Sequence, residues 1–152
     1  MENKAWVLLF CNIVLIATGW ILAFYAYPRL PETIPLWLSF LSAPLMLMPK
    51  SPLFFIYPAA QTLFALVFLF LPQIKAVRDS QDWGKNRLRE FVYLVLIFFQ
   101  VLFIHIQRSM ILSAHDMQQG VDPLYFMFLI LIILLLIPFF RLREKILGRL
   151  KK

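Results

Sequence analysis

The stretch AWVLLFCNIVLIATGWILAFYA, residues 5–26, decides the fold: its 22 residues include no charge. As a helix they rise about 33 Å, enough to cross the hydrocarbon core of a bilayer with a slight tilt. The apolar core is longer than that of a signal peptide, and no A-x-A-like cleavage site is clear, so the segment reads as a retained span. Three further stretches repeat the pattern. Residues 52–71 begin with Pro52 in a first helical turn, carry Pro58 one turn inside, where a kink is expected, and end at Pro72. Residues 91–112 form the most polar span. Residues 124–140 hold no polar group but the Tyr125 hydroxyl, and Asp122-Pro123 ahead of them reads as an N-cap followed by an N1 proline.

The whole chain agrees with these windows. Of its 152 residues, 62% are apolar, with mean hydropathy +0.79, against about 45–50% apolar in a soluble domain. No polar linker divides it, so residues 1–152 form one transmembrane domain. Net charge is +7, but the bases border apolar runs and no nucleic-acid-binding motif accompanies them, so they read as topological signals and exclude nucleic acid as a partner. Twelve of the 15 Lys and Arg residues lie before the first span, in the 72–90 loop or in the tail; Arg29, Lys50 and Arg108 fall on the opposite side. Both termini are therefore expected in the cytoplasm. The fold class is all-α, an integral membrane four-helix bundle. The tail, residues 141–152, places Leu142, Ile146 and Leu150 on one helical face with bases opposite, which predicts a short interfacial helix drawn to anionic lipid. Cys11 is the single cysteine and reads as a buried small apolar residue.

After the first span comes YPRLPETIPLW, residues 27–37. Pro28, Pro31 and Pro35 stop the helix and stiffen the exit path. Tyr25, Tyr27 and Trp37 suit the headgroup layer, and Arg29 and Glu32 are placed to pair locally. The apolar run that follows, residues 36–49, is too short and too broken by Pro44 to span alone. An outer interfacial or re-entrant segment covered by the bundle is expected, because bare backbone is expensive in lipid. Tyr27, Pro28, Pro31, Glu32, Pro35 and Trp37 are the candidate partner- or ligand-binding residues, set against the simpler reading of a membrane-hugging loop.

Tyr27, Pro28, Leu30, Pro31, Glu32, Ile34 and Pro35, with KSPLFFIYP before the second span, make residues 10–70 resemble a bacterial membrane domain of unknown function. That domain is similar to the N-terminal part of SdpI-type toxin-immunity proteins. The resemblance implies an integral protein of the bacterial cytoplasmic membrane. In the SdpI case it also implies protection from a secreted toxin and signalling by sequestering a regulator. Two features depart from the pattern: Trp37 stands where histidine is common, and no glycine lies between Trp37 and Lys50. Any polar or metal-linked role of that histidine is absent or altered here.

Polar residues inside the spans are the other candidates, because each needs a partner in lipid. Gln100 and Gln107 are seven apart and share a face; His105 lies about 140° round the helix from Gln100, with Arg108 beside it. Asn12 and Thr18 in the first span, and Gln61 and Thr62 in the second, are available to meet them through interhelical hydrogen bonds. A bend after residue 112 would bring His115 and Asp116 near His105, but no metal site or cofactor is expected. No deep carboxylate supports proton or cation transport. No nucleophile–base pair, carboxylate pair or Gly-rich phosphate loop supports an enzyme. The expected function is a non-catalytic interaction protein contacting lipid, a hydrophobic peptide or a partner helix, in immunity or signalling. An accessory subunit packed among other membrane subunits is the main alternative, and a small transporter the third.

Overall fold

A computed structural model of the chain describes residues 2–37, 46–70, 85–117 and 122–149. The described chain is mostly helical, with α1 over Glu2–Ala26, α2 over Ile56–Phe70, α3 over Lys85–Ala114 and α4 over Pro123–Arg149. Four of its stretches are long and apolar enough to cross a membrane: Ala5–Arg29, Pro52–Phe70, Arg89–Ala114 and Pro123–Arg143. They coincide with the four spans read from the sequence, as a multi-pass membrane protein requires.

The packing fixes the direction of each helix. Ala5 of α1 meets Val92 and Tyr93 of α3, with Phe68 and Leu69 from the end of α2 packed against them. At the opposite end Ala23 and Ala26 of α1 gather with Phe54, and Ile111 and Ala114 of α3 pack against this cluster. Thus α1 and α3 run parallel and α2 returns between the two ends. α4 lies against α3, with Phe126 beside Met110 and Tyr57 and Phe140 edge-on to Phe91 at 5.1 Å. Arg143 reaches Glu90 at 3.4 Å at the far end of the same seam. Alanines lie at both ends of the α1–α3 contact, Ala5 at one and Ala23, Ala26 and Ala114 at the other, because small side chains let helix backbones approach where there is no hydrophobic drive between helices in lipid.

One part of the all-α expectation is amended. The segment after the first span begins and ends as antiparallel strands, β1 over Thr33–Trp37 and β2 over Met46–Pro49. They pair Thr33 with Pro49, Ile34 with Met48, Pro35 with Leu47 and Trp37 with Met46, with a register shift between Pro35 and Trp37. Residues 38–45, where the interfacial or re-entrant portion was expected, lie outside the described residues. A hairpin satisfies backbone groups at the bundle end as a helix would. In the two-stranded sheet of the described residues, each strand has one edge outside the ladder, where proline's missing N–H is tolerated.

The helix ends follow local chemistry. Asp122 Oδ1 accepts from the Leu124 and Tyr125 amides at 3.0 and 3.3 Å, the N-cap read from Asp122-Pro123. Pro58, expected to kink the second span, falls instead in the first turn of α2, after a 3-10 turn over Pro52–Phe55, where its lack of an N–H leaves no partner wanting. The tail, expected as a separate interfacial helix, is continuous with α4 through Pro138 as far as Arg149; its Leu142 and Ile146 are exposed. α3 ends with Asp116 in the left-handed region at φ 55°. The Asp116 amide donates to the Ser113 carbonyl at 3.1 Å and the Met117 amide to the Leu112 carbonyl at 2.9 Å, a Schellman closure that ordinarily uses glycine. Asp116→Gly is therefore expected to raise stability in detergent by about 0.5–1 kcal/mol, read as a higher thermal midpoint; a lower midpoint would show that the carboxylate does more than occupy the turn.

Candidate functional site

Two sites emerge, a polar seam inside the bundle and a clamped turn at the hairpin end. The seam begins on α1, where Ala5, Asn12, Gly19 and Ala26 are all buried. They recur every seven residues, so they line one stripe of the helix. The stripe faces α3, whose Leu96, Gln100 and Gln107 are buried. Asn12 Nδ2 donates to the Leu8 carbonyl of its own helix at 2.8 Å and to the Tyr93 carbonyl of α3 at 3.1 Å. Gln61 Nε2 of α2 donates to the Leu15 carbonyl at 3.2 Å and to Gln100 Oε1 at 2.5 Å. One amide thus ties all three helices together.

The orientation of these amides is determined by chemistry. A carbonyl only accepts, so the Leu15 carbonyl forces Gln61 to present its NH2 group. Gln100 must then present oxygen to Gln61, which leaves its own NH2 turned away. The close approach depends on Gly19: a Cβ built there would collide with Gln61 Oε1. Beside the seam, Trp20 Nε1 donates to Thr62 Oγ1 at 2.9 Å, and that hydroxyl donates to the Pro58 carbonyl at 2.8 Å. Thr18 instead bonds back to the Val14 carbonyl of its own helix.

Asn12, Gln61, Gln100 and Gln107 are all buried, with Gln61 joined to Gln100 and Asn12 to the Tyr93 carbonyl. His105 and Arg108 do not join them. The His105 ring packs on Tyr125 of α4 with centroids 4.2 Å apart, and Arg108 is exposed. The bend after α3 does not bring His115 to His105. His115 Nδ1 lies 2.8 Å from the Ile111 carbonyl and Nε2 lies 3.2 Å from the Arg29 carbonyl, so this ring bridges α3 to the turn. Among the described residues no group of three His, Cys, Asp or Glu side chains is placed to hold a metal.

The turn is held from both sides. Lys50 Nζ donates to the Pro28 and Leu30 carbonyls at 3.1 and 3.0 Å and lies 5.3 Å from the centre of the Tyr27 ring. Its backbone amide donates to the Glu32 carbonyl at 2.6 Å. A cation at the carbonyl end of α1 also meets the negative end of the helix dipole. Arg29 turns back on its own helix rather than reaching Glu32, with Nη1 2.6 Å from the Tyr25 carbonyl and its guanidinium 3.8 Å over the Tyr25 ring. Leu30, Ile34 and Phe54 are buried together at the bundle end, with Tyr27 packed against them, and Pro35 is buried too. Pro28, Pro31 and Glu32 are exposed. Trp37 is placed by its backbone in β1, paired with Met46.

Sequence reading missed three contributors. Gly19 carried a signal, the seven-residue recurrence of Ala5, Asn12, Gly19 and Ala26. Lys50 had been counted only as a topological charge, and His115 only as a remote metal candidate. Together the helices, seam and clamped hairpin describe a multi-pass helical membrane protein. No family model, curated protein or solved structure matches the chain.

Gly19→Ala is expected to lower detergent stability by about 1–3 kcal/mol, the usual range for overpacking a filled site. In a Gln61→Ala background the same change should cost much less, because the two positions share one space; additive losses would show that they do not. Lys50→Met is expected to leave the helices in place and to accelerate amide hydrogen exchange over residues 27–37, measured by mass spectrometry. Unchanged exchange there would show that the strand pairing alone holds the turn.

Proposed function

We propose that this chain is a non-catalytic interaction protein of the bacterial cytoplasmic membrane, with both termini in the cytoplasm, that engages a hydrophobic peptide, lipid or partner protein through its hairpin. The charge asymmetry of the loops supports the orientation. One observation carries the reading. The hairpin is mounted firmly on the bundle, yet Met46 and Leu47 of β2 remain 50% and 62% exposed. The neighbouring cations, Lys50 and Arg29, are occupied in holding the turn. Among the described residues, what faces outward here is the apolar pair Met46 and Leu47, with Pro28, Pro31 and Glu32 also exposed. An apolar surface held by such hydrogen bonds suits recognition, because ordering entropy already lost on folding is not lost again on binding. The immunity or signalling role implied by the SdpI-type resemblance belongs to this class.

A second reading, an accessory subunit of a larger complex, is favoured by α4. It lies against α3 and leaves Leu124, Met127, Phe128, Leu131, Leu134 and Leu135 exposed, a face that lipid or another subunit's helix would cover. Photo-crosslinking residues placed at position 47 or at position 134 separate the two readings in the intact membrane. A defined protein captured from position 47, and lost on Trp37→Ala while insertion and expression persist, supports hairpin recognition. Capture of large subunits at fixed stoichiometry from position 134 alone supports the accessory role and removes the first reading.

A further inference from the structure

Gln107 is the one seam residue whose place the hydrogen bonds above do not explain. It is 1% exposed, and neither its Nε2 nor its Oε1 meets a hydrogen-bonding partner among the described residues. Flipping the amide does not help, since both ends are equally unpaired. Gln100 Nε2, Gln61 Oε1 and Asn12 Oδ1 are likewise buried without a partner. For Gln61 and Gln100 the Leu15 carbonyl dictates that outcome, and for Asn12 the two carbonyls that take its NH2 do. The interior thus offers donors at Gln100 and Gln107 and acceptors at Gln107, Gln61 and Asn12, all from uncharged amides. Apolar clusters close both ends, with Ala5, Val92 and Tyr93 at one and Ala23, Ala26, Leu30, Ile34 and Phe54 at the other.

Such a set of atoms specifies a ligand chemistry. An ion has no counter-charge among these amides, and an apolar molecule would leave every one unpaired. The required group is small and neutral, and donates and accepts at once. Successive helical residues rise about 1.5 Å, so Gln100 and Gln107 are about 10 Å apart along α3, and because helical side chains lean toward the N-terminus the Gln107 amide extends toward the level of Gln100. Buried water characteristically occupies polar sites of this kind and makes about three hydrogen bonds there.

We propose that the seam is a built site for ordered water, held by Gln107 and linking it to the Gln61–Gln100 pair. Water supplies the partners that α1, α2 and α3 do not, and it extends the Gln61–Gln100 contact along α3 to Gln107. The site is independent of what the hairpin recognises.

The test uses the full-length protein in detergent, with side-chain amides labelled with 15N and magnetisation transfer from water recorded by NMR. Gln107→Met, which keeps length and removes both polar atoms, assigns the signals. The expected result is long-lived water contact at the Gln107 and Gln100 NH2 groups in the native chain. In the variant the Gln100 contact should be lost or shortened, with a thermal midpoint no higher than the native one. Absence of water contact at the native Gln107 amide overturns the proposal, and that reading does not depend on the variant folding. A clear rise in midpoint with Gln107→Met also overturns it, because removing a dry, unpaired amide should stabilise the bundle. Water contact equally strong at Gln100 in native and variant protein would place the water elsewhere and likewise reject Gln107 as its holder.

Discussion

The Gln61 amide lies between α1 and α3 because Gly19 leaves room for it, and much of the bundle interior is arranged around that contact. In lipid the helices gain nothing from hiding apolar surface from one another, since the surrounding tails are equally apolar. Association has to come from close backbone approach and from hydrogen bonds that lipid cannot replace. Here both act at one level of the bundle. Gly19 admits the amide, the Leu15 carbonyl orients it, and Gln100 completes it at 2.5 Å. Rotating α1 by one residue, about 100°, would move the stripe of Ala5, Asn12, Gly19 and Ala26 off that face. The polar layer therefore sets register, while the apolar clusters at the two ends supply area. Interhelical hydrogen bonds in membranes average well under about 2 kcal/mol each, so their larger contribution here is to specificity of position.

The hairpin end solves a different problem, the unsatisfied carbonyls where α1 stops. Lys50, Arg29 and His115 come from three separate places in the chain, and each is directed at carbonyl oxygens of the 25–30 stretch or of the last turn of α3. This gives a structural use to two of the three bases that fall on the minority side of the charge count. Their presence there does not argue against the topology. Lys50 also explains why a lysine can follow an apolar strand directly: its ammonium lies 5.3 Å from the centre of the Tyr27 ring and ends on two oxygens, so the charge is solvated by the protein.

The spans were legible because length and hydropathy are physical requirements of the bilayer, and the Asp122-Pro123 cap was legible because capping is local. The shared interior of Gln100 and Gln107 followed from helical geometry alone. The hairpin was not legible, for identifiable reasons. Residues 33–37 and 46–49 are apolar on both faces and show no alternation that would announce strands, and Pro35 and Pro49 argue against a ladder until it is known that there are only two strands. The partners of Asn12 were equally hidden, since the Leu8 and Tyr93 carbonyls carry no residue identity. Gly19 was readable in principle, but a lone glycine in a span signals little until its seven-residue spacing from Asn12 and Ala26 is noticed.

The difference between seam and turn bears on where function resides. A side chain fixed by two carbonyls has its chemistry already used, and this describes Lys50; a neutral His115 ring donates to only one of the two carbonyls its nitrogens face. The turn residues that seemed most available for recognition, Tyr27 and Pro35, are packed or buried, because they plug the bundle end together with Leu30 and Ile34. Under the proposed function, recognition by the hairpin would use what this arrangement leaves outside among the described residues, the Pro28–Pro31–Glu32 edge and the exposed side chains of β2. A proline-rich motif in such a chain is chiefly a mount. Its conformational stiffness keeps a short, otherwise marginal two-stranded sheet in place, since an isolated hairpin is at best marginally stable, and it leaves Met46 and Leu47 of that sheet exposed.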